Sequence, residues 1–276
     1  MDFYISDLDG TLLNSKKEIS EFSKIEINKL IREKGLNFTI ATARTPGTVV
    51  EMLEGLEVNF AVALMNGVLL YDLNKKKYLK IRSIENNIVR KILNILETFN
   101  KDSFVYGVNE NHLYVYHKEL VLDLDEIFYK ERCNSEYKTF KKVKTYDEAL
   151  NNLDVVNFMI LDKLEIIKLI YEELKNIEGI NVNYYKDIYN EECYFIEIHS
   201  LNASKAEAIN DLKELYNLNK AICFGDNLND LPMFEIADEA YAMGNAVPAL
   251  KEVADGIILS NDKDGVAKYL IEKFTK

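Results

Sequence analysis

The chain has 276 residues, which at roughly 150 residues per domain suits one large or two modest domains. Hydrophobic residues make up 48% and charged residues 29%, a globular composition that excludes collagen-like, low-complexity and mainly disordered chains. With 34 basic against 46 acidic residues the net charge is −12, which argues against nucleic-acid and anionic-membrane partners.

No apolar run approaches the roughly 18 residues needed to cross a bilayer, and the start Met1-Asp2-Phe3 lacks the basic segment of a signal peptide. Cys133, Cys193 and Cys223 are widely spaced and odd in number, which suits reduced thiols in a cytoplasmic protein. The longest basic run, Lys75-Lys76-Lys77, reads as a hairpin tip.

Residues 3–6 read as a short buried strand. Ile19, Phe22, Ile25, Leu30 and Ile31 recur at helical spacing, and Gly35 closes that helix. A strand follows at 36–41. Thr45-Pro46 then supplies an N-cap and a first-turn proline for a helix ending near Gly55. Residues 60–65 form a third apolar run, followed by Asn66-Gly67 and strand-like runs near 69–70 and 78–81. The order βαβαβ predicts a parallel sheet with helices on both faces.

The rhythm changes after residue 83. Ile84, Ile88, Ile92, Ile95, Leu96 and Phe99 mark a long helix. Strands are expected at 103–108, 112–117, 137–143, 154–161, 180–185 and 193–199, with helices near 119–130 and 163–177. Eleven of the 17 tyrosines fall within 84–199, as a β-rich segment favours. After His199 the α/β rhythm returns. Ser204 and Glu207 form a capping-box pattern, and a strand at 221–224 runs into Gly225-Asp226. A short helix at 229–236, strands at 239–243 and 256–259, and a helix at 264–274 complete the chain. The expected fold is α/β, a Rossmann-like parallel-sheet core formed by 1–83 and 200–276, with an α+β domain, 84–199, inserted into it.

Asp7-Leu8-Asp9-Gly10-Thr11 follows the first strand, where open α/β sheets bind ligands. Asp226-Asn227-Leu228-Asn229-Asp230 follows a second strand in the same way. Four carboxylates in one crevice repel unless a cation lies between them. Hard oxygen donors in an open site favour Mg²⁺, which bridges to substrate phosphate. Thr42 and Arg44 follow the second strand and offer a hydroxyl, a cation and backbone N–H groups to an anion. Lys205 begins a helix, where a cation opposes the macrodipole unless an anion is near.

Taken together, these motifs resemble the haloacid dehalogenase superfamily of phosphohydrolases. Asp7-Leu8-Asp9-Gly10-Thr11-Leu12-Leu13-Asn14 matches its first motif, Thr42 the second, Lys205 the third and residues 225–230 the fourth. Asn66-Gly67 and residues 242–246 resemble the Cof-type subfamily, whose α+β cap is inserted where residues 84–199 fall. Ala43 and Ala206 stand where that pattern often has glycine.

The resemblance implies a Mg²⁺-dependent phosphomonoesterase acting on small metabolites. Sugar phosphates come first, and phosphorylated cofactors such as flavin mononucleotide or pyridoxal phosphate are alternatives. Asp7 is implied as nucleophile and Asp9 as acid and base. Asp7, the Asp9 carbonyl and Asp226 would hold Mg²⁺, with Asp230 orienting that set. Leu8, Thr42, Ala43, Lys205 and Asn229 would bind phosphoryl oxygens, and Arg44, Asn66 and Gly67 would contact substrate. The cap is expected to close over the crevice and choose the leaving group, with His112, His117, Tyr114, Tyr116 and tyrosines within 184–189 as candidate contacts. The chain is expected to act as a cytoplasmic monomer. A phosphomutase or phosphotransferase of the same fold, or a non-catalytic binder of a phosphorylated ligand, are the other readings. A phospho-accepting receiver domain would need neither Asp9 and Asp230 nor the insertion.

Overall fold

A computed structural model describes residues 1–150, 153–187 and 192–275, apart from the side chains of 148 and 149. In chain order the first elements are β1 (Asp2–Ser6), α1 (Glu21–Lys34), β2 (Phe38–Ile40), α2 (Pro46–Met52), β3 (Val62–Leu64), β4 (Leu69–Asp72) and β5 (Lys77–Ile81). Next come α3 (Asn86–Thr98), β6 (Phe104–Asn109), β7 (His112–His117), α4 (Asp123–Arg132), β8 (Lys138–Lys142) and α5 (Tyr146–Leu150). They are followed by β9 (Asp154–Asp162), α6 (Leu164–Leu174), β10 (Ile180–Lys186) and β11 (Tyr194–Ser200). The chain ends with α7 (Lys205–Tyr216), β12 (Lys220–Gly225), α8 (Leu231–Ile236), β13 (Glu239–Ala242), α9 (Pro248–Val253), β14 (Gly256–Ile257) and α10 (Gly265–Thr275).

Two compact units emerge: Met1–Lys80 with Ala203–Lys276, and Ile81–Asn202. The sequence places the divisions at 83/84 and 199/200. The difference follows from β11, whose pairing with β10 extends through Ser200 opposite Ile180 and keeps that end with the inserted unit.

The first unit is built on a five-stranded sheet in the order β14-β13-β12-β1-β2, with every pairing parallel. Phe3, Ile5, Phe38, Ile40, Ala221 and Phe224 are buried, as expected of strands covered on both faces. The order reverses direction between β1 and β12, so the loops leaving these two strands border the switch point of the sheet, where ligands bind. Local signals fix the helices. Ser20 accepts a hydrogen bond from the Ser23 amide to open α1, and Gly35 closes it in left-handed geometry at φ +68°. Pro46 opens α2, and Ser204 caps α7 by accepting from the Glu207 amide.

One expectation fails here. β3 is not a third ladder-forming strand of the parallel sheet. A single parallel bridge, Ala41 to Ala63, links it to the chain after β2. β3 instead pairs antiparallel with β4 in a separate three-stranded sheet, β3-β4-β5. The cause is the turn Met65–Gly67, in which Met65, Asn66 and Gly67 all have positive φ and reverse the chain immediately. The lysine run does form a hairpin tip: Lys76 has φ +50°, and Asp72 accepts hydrogen bonds from the amides of Asn74 and Lys75.

The inserted unit is α+β. Its six-stranded sheet runs β10-β11-β9-β6-β7-β8, antiparallel except for β7 beside β8. α3 and α6 contribute Ile92, Leu96, Ile167 and Ile170 to a core shared with Phe158 and Ile198 of the sheet. α4 brings Phe128 against Phe104 and Phe195, with ring centroids 4.7 and 6.1 Å apart. The candidate cap residues mostly serve this packing. His117 lies among Phe104, Tyr129 and Phe140, Tyr184 meets Tyr171, and Tyr114 and Tyr116 adjoin the core. His112 pairs with the Thr139 hydroxyl. Tyr189 lies outside the described residues.

Candidate active site

The loops after β1, β2 and β12 meet at one edge of the parallel sheet, since Ser6 is in register with both Ile40 and Phe224. Asp7 leaves β1 with its amide still donating to the Phe224 carbonyl at 3.0 Å, which fixes its side chain at the switch point. Lys205, in the first turn of α7, donates to Asp7 Oδ1 and Asp230 Oδ1, each at 2.6 Å. Lys205 and Asp230 are fully buried and Asp7 nearly so. The macrodipole cost of a lysine at a helix start is therefore offset by two buried carboxylates.

Asp230 has no oxygen to spare. Its Oδ1 takes Lys205, and its Oδ2 accepts from the amides of Asp226 and Asn227 at 2.9 and 3.1 Å. It therefore shapes the Asp226 loop and orients Lys205. Asp7 and Asp226 differ. Asp226 Oδ1 accepts from the Thr11 hydroxyl at 3.2 Å, while among the described residues the other oxygen of each carboxylate accepts no hydrogen bond. One carboxylate oxygen from each of Asp7, Asp226 and Asp230 falls within 4.8 Å of the others. Burial first, with Asp230 nearby, pushes the Asp7 carboxyl up to about 7, although Lys205 pulls against it. Burial and Asp230 likewise push Asp226 up to about 6. The Lys205 ammonium is held well above its ordinary value because the pull of Asp7 and Asp230 outweighs the cost of burial.

The close approach depends on glycine. Gly10 has φ +75°, and a Cβ there would stand 2.2 Å from Asp226 Oδ2. Gly67 has φ +88°, and a Cβ there would stand 2.1 Å from the Ser204 carbonyl, one residue before Lys205. Gly67→Ala is therefore expected to cost about 1–3 kcal/mol through backbone strain alone. Chemical denaturation against the parent protein checks this.

Thr42 is buried, and its hydroxyl accepts from the Arg44 amide at 3.2 Å. The Thr42 carbonyl accepts from the Asn66 amide at 2.9 Å, which brings Asn66-Gly67 to this loop. The Asn66 side-chain oxygen is buried without a partner, an acceptor left for a ligand N–H or O–H. Leu8 is buried, and Ala43 and Asn229 are exposed. Asp9 is half exposed and gripped by Arg44. Two supports were not singled out from the sequence. Thr11 holds Asp226, and Asn245 donates to the Gly10 carbonyl at 2.7 Å. Both stand within the motifs of the ligand loops, but their partners depend on how those loops fold.

The family profile of haloacid dehalogenase-like hydrolases matches residues 4–270. The chain belongs to this family. It is accordingly an enzyme, a hydrolase with the α/β core and inserted cap of that family. Among curated proteins it is 27% identical to a 5-amino-6-(5-phospho-D-ribitylamino)uracil phosphatase of Bacillus subtilis strain 168, over 98% of this chain and 96% of the other. It is 30% identical to a putative phosphatase of Buchnera aphidicola subsp. Baizongia pistaciae, over 99% of each. Among solved structures, a haloacid dehalogenase-like hydrolase from Bacteroides thetaiotaomicron aligns with TM-score 0.78 and 24% identity, over 99% of each chain. No helix among the described residues of this hydrolase is long and apolar enough to cross a membrane.

Proposed function

We propose that this hydrolase is a Mg²⁺-dependent phosphomonoesterase that works through a phosphorylated Asp7. The observation that carries the reading is the buried triad Asp7–Lys205–Asp230 beside Asp226 at the switch point of the sheet. Lys205 occupies Asp7 Oδ1, which leaves Oδ2 as the oxygen that can attack phosphorus. The small-metabolite class proposed is the phosphate ester of a sugar or polyol. The polyol phosphate in the name of the Bacillus subtilis relative, and the unpartnered Asn66 oxygen facing the need for a hydroxyl donor, support it.

The residues present fit a divalent cation. A buried carboxylate, Asp7, and a half-buried one, Asp226, both holding protons more tightly than ordinary aspartates, are what a hard cation would relieve. Asp7, Asp226 and the Asp9 backbone carbonyl would hold it, with Asp230 fixing the Asp226 loop. When bound it supplies positive charge against the anionic phosphoryl group.

The chain's own residues then divide the work. Asp7 attacks phosphorus, and the leaving alkoxide takes a proton from Asp9. Asp9 next takes a proton from water as the water attacks the phosphorylated Asp7 and restores its carboxylate. Lys205, the Thr42 hydroxyl and the amides of Leu8 and Ala43 hold the phosphoryl oxygens, with Asn229 at the rim. The inserted domain is proposed as the cap that selects the leaving group, in a monomer of the cytoplasm.

The direct test is phosphate release from an aryl phosphate with added Mg²⁺ and with EDTA. Release that requires Mg²⁺ is expected, and undiminished release in EDTA would overturn the metal assignment.

The raised carboxyls give a pH prediction. Between about pH 4 and 7 the folded metal-free protein holds protons on Asp7 and Asp226 that the unfolded chain has lost, so its stability falls as pH rises through this window. Mg²⁺ displaces those protons. Its stabilisation of the fold is expected to be small near pH 5 and to reach a plateau above about pH 8. Thermal melts with and without Mg²⁺ check this, and a shift independent of pH would contradict it.

A further inference from the structure

Asp9 is the one carboxylate of the first motif that faces solvent, with its side chain 50% exposed, yet both its oxygens are engaged. Arg44 Nε donates to Oδ2 at 2.6 Å and Nη2 donates to Oδ1 at 2.5 Å, a side-by-side fork. The backbone behind that fork is fixed. The Arg44 amide donates to the Thr42 hydroxyl, and its carbonyl accepts from the Met65 amide at 3.0 Å. The Arg44 side chain is only 20% exposed. An exposed ion pair tethered by flexible chains has many arrangements, whereas this planar fork starts from a pinned loop and ends on a carboxylate in a tight turn.

We infer that Arg44 is a positioning residue for Asp9: its bidentate grip sets where the Asp9 carboxylate stands for both proton transfers. The inference rests on the reading of Asp9 as acid and base. In the first step the P–O bond to the leaving group breaks, its electron pair stays on the leaving oxygen, and that oxygen takes the Asp9 proton. In the second, water forms a bond to phosphorus and gives its proton to Asp9, while the P–O bond to Asp7 breaks and returns the carboxylate. A leaving phenolate of low basicity needs no proton in the first step, but every substrate needs Asp9 in the second. Arg44 therefore matters unequally to the two halves of the reaction.

The test is stopped-flow kinetics of Arg44→Ala and Arg44→Lys with a series of substituted phenyl phosphates at saturating Mg²⁺. For 4-nitrophenyl phosphate, Arg44→Ala is expected to release the first phenolate at the parent rate and then turn over about 10- to 100-fold more slowly. Across the series, its first step should depend more steeply on leaving-group basicity than the parent's does. Arg44→Lys keeps the charge without the fork and is expected to fall between. A raised KM with unchanged kcat would overturn the inference, because Arg44 would then bind substrate. Unchanged kinetics, or equal slowing of both phases for every leaving group, would also overturn it. If the parent protein itself showed no Mg²⁺-dependent turnover, the failure would lie with the phosphatase reading, and the inference would fall with it.

Discussion

Asp7→Asn is expected to abolish turnover, with a loss on the order of 10⁴-fold or more, while the protein stays folded. The amide is isosteric and can still accept from Lys205, so packing at the end of β1 is preserved. What disappears is the oxygen proposed as nucleophile. The substitution also removes a buried ionisable group that burial pushes up to about 7, so the metal-free variant should be no less stable than the parent above neutral pH. Steady-state phosphate release together with a thermal melt separates the two effects. Normal activity in a folded Asp7→Asn protein would remove the nucleophile assignment, and lost activity in an unfolded one would say nothing about chemistry.

Lys205→Met carries the second large effect, and here stability and activity fall together. Lys205 is the cation shared by Asp7 and Asp230, with its side chain fully enclosed. Methionine fills similar volume but leaves two buried carboxylates facing each other. Breaking a buried ion pair from one side costs about 3–5 kcal/mol at neutral pH. The cost should shrink near pH 5, where Asp7 can take up a proton. Turnover should fall by about 10²–10³-fold even where the variant remains folded, because on the proposed mechanism the phosphoryl group loses a buried ammonium. Urea denaturation of the metal-free variant at both pH values, beside kcat, checks this. A stability loss independent of pH would point to packing rather than charge.

The sequence made the site legible where one chemical pattern sits directly on one structural pattern. A mostly apolar run that ends on an aspartate announces both a buried strand and a ligand loop, and Asp7 stands at the end of β1 as that pattern implies. Asp226 after β12 is the same case. The capping pattern at Ser204 located α7, and with it Lys205. What stayed hidden depends on distance along the chain. Asp9 and Arg44 are 35 residues apart and meet only because two loops leave neighbouring strands. The elevated Asp7 carboxyl follows from near-complete burial, which no local pattern reports.

β3 departs from its sequence expectation for a related reason. Three apolar residues look the same in a parallel sheet and in an antiparallel hairpin, and the deciding feature was the run of positive φ at Met65–Gly67. α9 has no signature in the sequence beyond Pro248 in its first turn, because a helix of six residues is too short to show a periodicity. In the inserted unit, tyrosine and histidine suit substrate contact, but a β-rich domain needs such rings first for its own core. Ring geometry around His117 and Tyr184 favours packing.

The most direct test of the central claim is to look for the phosphoryl group on Asp7. The protein would be mixed with 4-nitrophenyl phosphate and Mg²⁺, quenched in acid within milliseconds, digested and mapped by mass spectrometry. The account predicts a phosphoryl increment on the peptide carrying Asp7, absent from Asp7→Asn and decaying as phosphate appears. Turnover at the normal rate with no phosphorylated Asp7 at any quench time would contradict it.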